Sequence, residues 1–421
     1  MDHFQLNNGV LYAEDIPLTT LAEIYGTPVY IYSAATLRRH ARVFREALAP
    51  AGRVHCAFAV KANPNLAVLN ILADEGYGAD VVSAGELNRA LEAGVPAGDI
   101  VFSGVGKTGD EIRHALAKGI GQFNIESAEE GFELAAIAAE TGLRPAVALR
   151  VNPDVDAATH AKISTGKAEN KFGVPIDQAV ALYARLSREA SLNVRGVAVH
   201  IGSQLLSLDP LEQAFGKLGE MIGALRDQSL TVSHIDLGGG LGVPYAPGEI
   251  PPSPADYGVM VARVTRDWDV TLMFEPGRVI AGNAGVMLTR VIRVKQALGH
   301  PFVIVDGAMN DLARPALYDA WHDFVAVQPT GETMMAHIVG PVCETGDTFA
   351  RDREIDVVQA GDLAVFRTAG AYGATLASTY NSRALVPEVL VDGSNHALVA
   401  DRIDPATIMA AERVPEWLRR G

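Results

Sequence analysis

His55-Cys56-Ala57-Phe58-Ala59-Val60-Lys61-Ala62-Asn63-Pro64 reads as a strand that ends on a lysine and opens a helix. Small and apolar residues run unbroken from Cys56 to Val60. Asn63 can cap the helix and Pro64 suits its first position, ahead of the apolar spacing Leu66, Leu69, Ile71 and Leu72. A lysine at the C-terminal end of a buried strand is costly unless it is paired or chemically used, because desolvation disfavours its charged form. Such an amine suits imine chemistry. The ordinary alternative is a lysine that ends a strand and reaches water with its head group, so the rest of the chain must decide.

Working outward, strand-like runs alternate with helical patterns. The runs are Cys56 to Val60, Ala79 to Val82, Ile100 to Phe102, Phe123 to Ile125, Ala146 to Val151, Gly196 to Ile201, His234 to Leu237 and Thr271 to Phe274. Amphipathic stretches such as Ala84 to Ala93, Asp110 to Ala117, Ser127 to Thr141 and Asp177 to Ala190 lie between them, the pattern of βα units around a parallel sheet. Eight such units predict a closed (β/α)8 barrel, an α/β fold, and an open doubly wound sheet is the alternative. Past Gly282 the rhythm changes to strand-like runs at Val286 to Val294, Phe302 to Val305, His337 to Val339, Leu363 to Phe366 and Ala384 to Leu390, separated by Gly, Asp and Pro turns. The expected division is an N-terminal segment, 1–32, that packs with a β domain; a barrel, 33–281; and a mostly β domain, 282–421, ending in a short helical tail from Pro405 to Glu412.

Composition excludes more than it names. The chain of 421 residues has room for a barrel and a second domain, since a barrel alone takes about 250 residues. No apolar run approaches the ~20 residues of a membrane span, and the N-terminus lacks the basic flank and apolar core of a signal peptide. With 35 Lys and Arg against 50 Asp and Glu, the net charge of −15 repels nucleic acid and anionic membranes. Two cysteines, Cys56 and Cys343, fit a reducing cytoplasm. His55, His160, His200 and His234 show no metal-ligand spacing with acids or cysteines, so no metal is expected.

In a barrel the C-terminal strand ends face one mouth, where active sites sit. Those ends carry Lys61, Asp80 with Ser83, Ser103, Glu126, Arg150 with Asn152, His200, Asp236 followed by Gly238 to Gly242, and Glu275-Pro276-Gly277-Arg278. The glycine run lets backbone N–H groups approach an anion, at the seventh strand where barrels often hold phosphate. It is neither a P-loop nor a dinucleotide fingerprint, and alone it is as well read as a tight turn. Glu275 can keep a ring nitrogen protonated, and His200 can lie against a planar ring. With Lys61 they outline a pyridoxal 5'-phosphate site: an amine for the imine, donors for the phosphate and a carboxylate for the pyridinium. Taken singly, His200 is an ordinary core histidine and Glu275 an ion-pair partner of Arg278.

Phe58 to Asn63, His200-Ile201-Gly202-Ser203-Gln204, Gly238 to Gly242, Glu275 to Arg278 and Cys343-Glu344-Thr345-Gly346-Asp347 together resemble the motifs of the diaminopimelate decarboxylases. These belong to the alanine-racemase-like, fold type III pyridoxal phosphate decarboxylases. The resemblance runs in order from the first residues to about Asp392. It implies that Lys61 binds the cofactor covalently with Asp80 beside it, that His200 stacks on the ring, and that Glu275 pairs with the ring nitrogen. By the same resemblance Ser203, Gly239, Gly277 and Tyr372 reach the phosphate. Arg278, Arg314, Tyr318, Glu344 and Tyr372 face the substrate, and Cys343 is the acid that protonates the carbanion. It also implies a homodimer with shared sites, in which Cys343 and Glu344 reach into the partner, and an active-site loop over His160 to Gly173. His160 is followed by Ala161-Lys162 where many members of the family carry a proline and an aromatic. The activity implied is decarboxylation of meso-diaminopimelate to L-lysine. A site for that substrate needs a cation and an anion at its distal end, which Arg278 and Arg314 with Glu344 supply. The alternatives are a decarboxylase of ornithine, arginine or a D-amino acid, or a catalytically silent binding protein. The proline-rich segment Val243 to Pro254 has no role readable from sequence.

Overall fold

A computed structural model describes residues 2–156 and 170–419. The expected loop residues His160 to Glu169 therefore lie outside the described residues. Contacts divide the chain into one unit of residues 37–282 and another of residues 1–36 with 283–421.

The first unit is a closed parallel barrel. Its strands are Val54–Ala59, Gly78–Val81, Ile100–Phe102, Gln122–Ile125, Ala146–Asn152, Asn193–Ala198, His234–Asp236 and Thr271–Phe274, paired in chain order. The ring closes where Thr271–Phe274 pairs with Val54–Ala59. All eight expected runs form strands of this ring. The short βα loops end on helix caps: Ser83 accepts from the Glu86 N–H and Ser127 from the Glu130 N–H, and Thr108 with Glu111 forms a capping box.

One local expectation is corrected. The helix after Lys61 begins at Leu66, capped by Asn65, whose side chain accepts from the Ala67 N–H at 3.0 Å. Asn63 is held extended instead (φ −158°, ψ 105°), as the residue before a proline must be, and its side chain accepts from the Asn65 N–H at 3.1 Å.

Close packing of the barrel shell shows at Gly258, on helix Pro254–Val264, where an added Cβ would overlap the Ala47 carbonyl oxygen. Gly258→Ala is expected to destabilise the protein by about 1–3 kcal/mol. The check is urea unfolding, as a lower midpoint at unchanged slope.

The second unit is mostly β. Its strands run in the order Thr348–Asp356, Thr333–Val339, Phe302–Val305, Gly285–Lys295, Val29–Ser33, Glu388–Asp392 and Asn395–Ala400. Val29–Ser33 is antiparallel to Gly285–Lys295 and parallel to Glu388–Asp392. Val29, Ile31, Val286, Leu288, Val365, Val389 and Val391 form its buried core. The strand expected over Ala384 to Leu390 instead spans Glu388–Asp392, because Pro387 has no N–H to give the ladder. Thr348–Asp356 escaped the sequence reading because its charged residues mask the alternation. Among the described residues no helix is long and apolar enough to cross a membrane.

Candidate active site

Strand Val54–Ala59 passes into one turn of 3-10 helix, Val60–Ala62, which turns Lys61 out at the barrel mouth. Its Nζ lies 2.7 Å from Asp80 Oδ2, an ion pair whose carboxylate is fully buried and whose lysine side chain is 37% exposed. Lys61 is thus neither a core lysine nor a solvated strand end. It is a half-exposed amine tethered to a buried anion at the end of the second strand.

Two more carboxyls lie on the same floor. Asp236, from the seventh strand, accepts from Asn124 Nδ2 at 2.8 Å and from the Gly238 N–H at 2.9 Å. Glu275, after the eighth, accepts from Ser103 Oγ at 3.2 Å and from Asn124 Nδ2 at 3.3 Å. Both are buried. Burial first, then the charges of Asp236 and Asp80, push the Glu275 carboxyl well above its ordinary range, with Lys61 opposing. Burial also pushes Asp236 up, against the hydrogen bonds it accepts.

His200, following the sixth strand, accepts from the Gly239 N–H at Nδ1, 3.2 Å away, which puts the proton of the neutral ring on Nε2. Burial, with Arg150 and Lys61 nearby, holds this imidazole well below its usual pKa, so it is neutral near pH 7. The glycine run explains the approach: Gly238 stands at φ +65°, and a Cβ on Gly239 would overlap the Glu275 carbonyl. Leu205 N–H donates to the Gly240 carbonyl at 2.9 Å and Gly242 N–H to the Leu205 carbonyl at 3.0 Å. The loops carrying Ser203 and the glycine run are therefore joined edge to edge.

Beside them Arg278 donates to Ser203 Oγ at 3.0 Å from Nη2 and to the Tyr245 hydroxyl at 2.7 Å from Nη1. Gly277 directly precedes Arg278–Ala281 as its cap. The proline-rich segment thus presents Tyr245 to Arg278. On the opposite side Arg150 Nη1 pairs with Glu126 Oε1 at 2.7 Å, and Glu126 also accepts from the Gly104 and Gly173 N–H groups.

Against this geometry, the family profile "Pyridoxal-dependent decarboxylase, pyridoxal binding domain" matches residues 34–282. A diaminopimelate decarboxylase of Zymomonas mobilis is 53% identical over 418 residues, 99% of both chains. The chain belongs to the diaminopimelate decarboxylase family. Among solved structures, the family's M. jannaschii enzyme in co-complex with L-lysine superposes with a TM-score of 0.95 at 34% identity, covering 99% of both chains. The Helicobacter pylori enzyme complexed with L-lysine gives 0.90 at 36% identity, over 93% of this chain and 98% of that one.

The mouth fits the family's cofactor on its own chemistry. Asp80 Oδ1 is buried without a hydrogen-bond partner among the described residues, and it shares the acidic floor with Asp236 and Glu275. Ser203 and Arg278 supply donors at the joined loops. An acidic floor and a basic rim suit a group with a protonated ring at one end and a phosphate at the other.

The remaining sequence-named residues belong to the second unit. Cys343 is exposed and unpaired by disulfide, and its backbone N–H donates to Asn381 Oδ1 at 3.3 Å. Buried Asp347 pins this turn by accepting from the Met309 and Val342 N–H groups, each at 2.7 Å. Glu344 is exposed, and its carboxylate pushes the Tyr380 hydroxyl above its ordinary pKa. Buried Arg314 donates to His322 Nε2 at 2.8 Å, and Tyr318 ends the same short helix, Arg314–Tyr318. Tyr372 stands at φ +56°, a conformation that costs a bulky residue about 1–3 kcal/mol and marks a constrained site. The sequence reading missed Asn124 and Tyr245. Gln122, Asn124 and Glu126 alternate polar residues at every second position of an apolar strand, a barrel-interior signal that was available.

Proposed function

We propose that this chain decarboxylates meso-2,6-diaminopimelate to L-lysine and carbon dioxide as a pyridoxal phosphate-dependent carboxy-lyase, the last step of lysine biosynthesis. The observation that carries the reading is the Lys61–Asp80 pair set against buried Glu275 in a chain alike over its full length to diaminopimelate decarboxylases. When bound, pyridoxal phosphate supplies a sink for the electrons left behind as the carboxylate departs.

The protein does the rest. Lys61 would supply the amine that holds the cofactor, with Asp80 keeping that amine placed. His200, neutral and fixed by Gly239, offers its ring face. Glu275 holds the ring nitrogen protonated. Ser203, Gly239, Gly277 and Tyr372 receive the phosphate, and Arg278 braces Ser203.

Cys343 Sγ hands a proton to the substrate carbon that has lost its carboxylate. Arg278, Arg314 and Tyr318 hold the distal carboxylate and Glu344 the distal ammonium. Two copies form a homodimer in the cytoplasm, each lending Cys343 and Glu344 to the other's barrel. The exposure of both residues in the single chain supports this. Segment 1–32 packs with the β domain of residues 282–421, and 33–281 is the cofactor-binding barrel.

The test is carbon dioxide release by the purified protein with pyridoxal phosphate, offering meso-diaminopimelate, ornithine, arginine and lysine side by side. Preference for meso-diaminopimelate with lysine as product is expected, and preference for ornithine or arginine would overturn the substrate assignment. Arg314→Ala should cost meso-diaminopimelate turnover on the order of 10²-fold, the scale of losing one partner of a charged pair. Any activity on a simple diamino acid should fall far less, and equal losses would contradict the role of Arg314.

A further inference from the structure

The floor of the barrel holds more acid than the proposed reaction uses. Glu275 has a role there, but Asp236, also buried, has none. The two are bridged by a single nitrogen: Asn124 Nδ2 lies 2.8 Å from Asp236 Oδ2, 3.3 Å from Glu275 Oε1 and 3.1 Å from Ser103 Oγ.

The orientation of that amide is dictated from below. Arg195 can only donate, and its Nε reaches Gln122 Oε1 at 3.1 Å. Gln122 must then donate from Nε2, to Asn124 Oδ1 at 2.9 Å. Asn124 is thereby left with its NH2 facing the carboxyls. Alternate residues of one strand, Gln122 and Asn124, thus relay the polarity of Arg195 to the acid pair.

The donors are unequally divided. Asp236 receives a backbone N–H at 2.9 Å on one oxygen and the amide at 2.8 Å on the other. At Glu275 the contacts are longer, 3.2 and 3.3 Å. Two buried carboxyls that share a donor cannot both ionise cheaply, and the better-solvated one takes the charge. Asp80 adds a third negative charge to this floor and Lys61 the opposing positive one.

We propose that Asp236 and Glu275 share one proton in the cofactor-free site, and that Asp236 is a positioning residue that keeps it on Glu275 for the ring nitrogen. The inference rests on the cofactor reading above. On binding, the proton leaves a Glu275 carboxyl oxygen for the ring nitrogen and Glu275 becomes the carboxylate that faces it. Asp236 stays ionised throughout, held by Asn124 and Gly238. The directions agree: burial and then Asp236 raise Glu275, whereas burial raises Asp236 and Glu275 opposes that rise. The protein thus stores the proton its cofactor needs and takes none from solvent for this step.

The experiment uses the full-length protein, stripped of and reloaded with pyridoxal phosphate, its bound stoichiometry measured by phosphate analysis. Infrared difference spectra near neutral pH should show a protonated-carboxyl stretch, shifted in D2O, that disappears on loading. The stretch should be missing from cofactor-free Asp236→Asn and Glu275→Gln. Calorimetry in buffers of different ionisation enthalpy should show Asp236→Asn taking up about one more proton per site on binding than the wild type. A merely structural role for Asp236 would leave that count unchanged. No such stretch in the cofactor-free wild type, its persistence in Glu275→Gln, or equal proton counts in Asp236→Asn and wild type would each overturn the proposal. Failure of the wild type to bind pyridoxal phosphate would overturn the cofactor reading and this inference together. Normal stoichiometry without the stretch would overturn this one alone.

Discussion

Lys61→Ala is expected to abolish the visible absorbance of the lysine-bound cofactor and to lower kcat/KM by on the order of 10⁴-fold or more, the scale of deleting a covalent catalyst. The effect has two sources. The amine that holds the cofactor is gone, and the only cation paired with Asp80 among the described ion pairs goes with it. Three buried carboxyls, Asp80, Asp236 and Glu275, then face one another without that charge. The variant should bind pyridoxal phosphate more weakly as well as turn over slowly. Absorbance spectra and steady-state kinetics separate the effects, and normal turnover in Lys61→Ala would remove the chemistry assigned to the barrel.

Cys343→Ala is the second large effect, a fall in kcat of about 10²–10⁴-fold, the usual contribution of a positioned general acid. The visible absorbance of the bound cofactor should be unchanged, since Cys343 is assigned no part in holding it. Asp347 holds that turn through two backbone N–H groups, so the substitution removes the thiol without disturbing the fold around it. A loss confined to KM would assign Cys343 to binding instead. An unchanged kcat would leave it an ordinary exposed cysteine.

The barrel was legible because most of its strands contain an apolar run closed by a polar residue, and the helices between them carry clean apolar spacing. Lys61, Asp80, His200 and Glu275 could be named at strand ends for that reason. The β unit was less legible: Thr348–Asp356 is charged on its open face, and Pro387 delays a strand whose apolar composition starts earlier. At Lys61 itself the helix start was misread by two residues, since Pro64 forces Asn63 extended and passes the cap to Asn65. Tyr245 was hidden because its partner, Arg278, is 33 residues away in a segment of prolines and glycines. The orienting chain from Arg195 through Gln122 to Asn124 crosses from the sixth strand to the fourth, with the fifth between them, and no periodicity within one strand can display it.

The most direct measurement is borohydride reduction of the loaded protein followed by peptide mass mapping. The phosphopyridoxyl mass is expected on the peptide containing Lys61, at one label per chain. A label on any other lysine, or none after reduction of a protein shown to bind pyridoxal phosphate, would contradict the account.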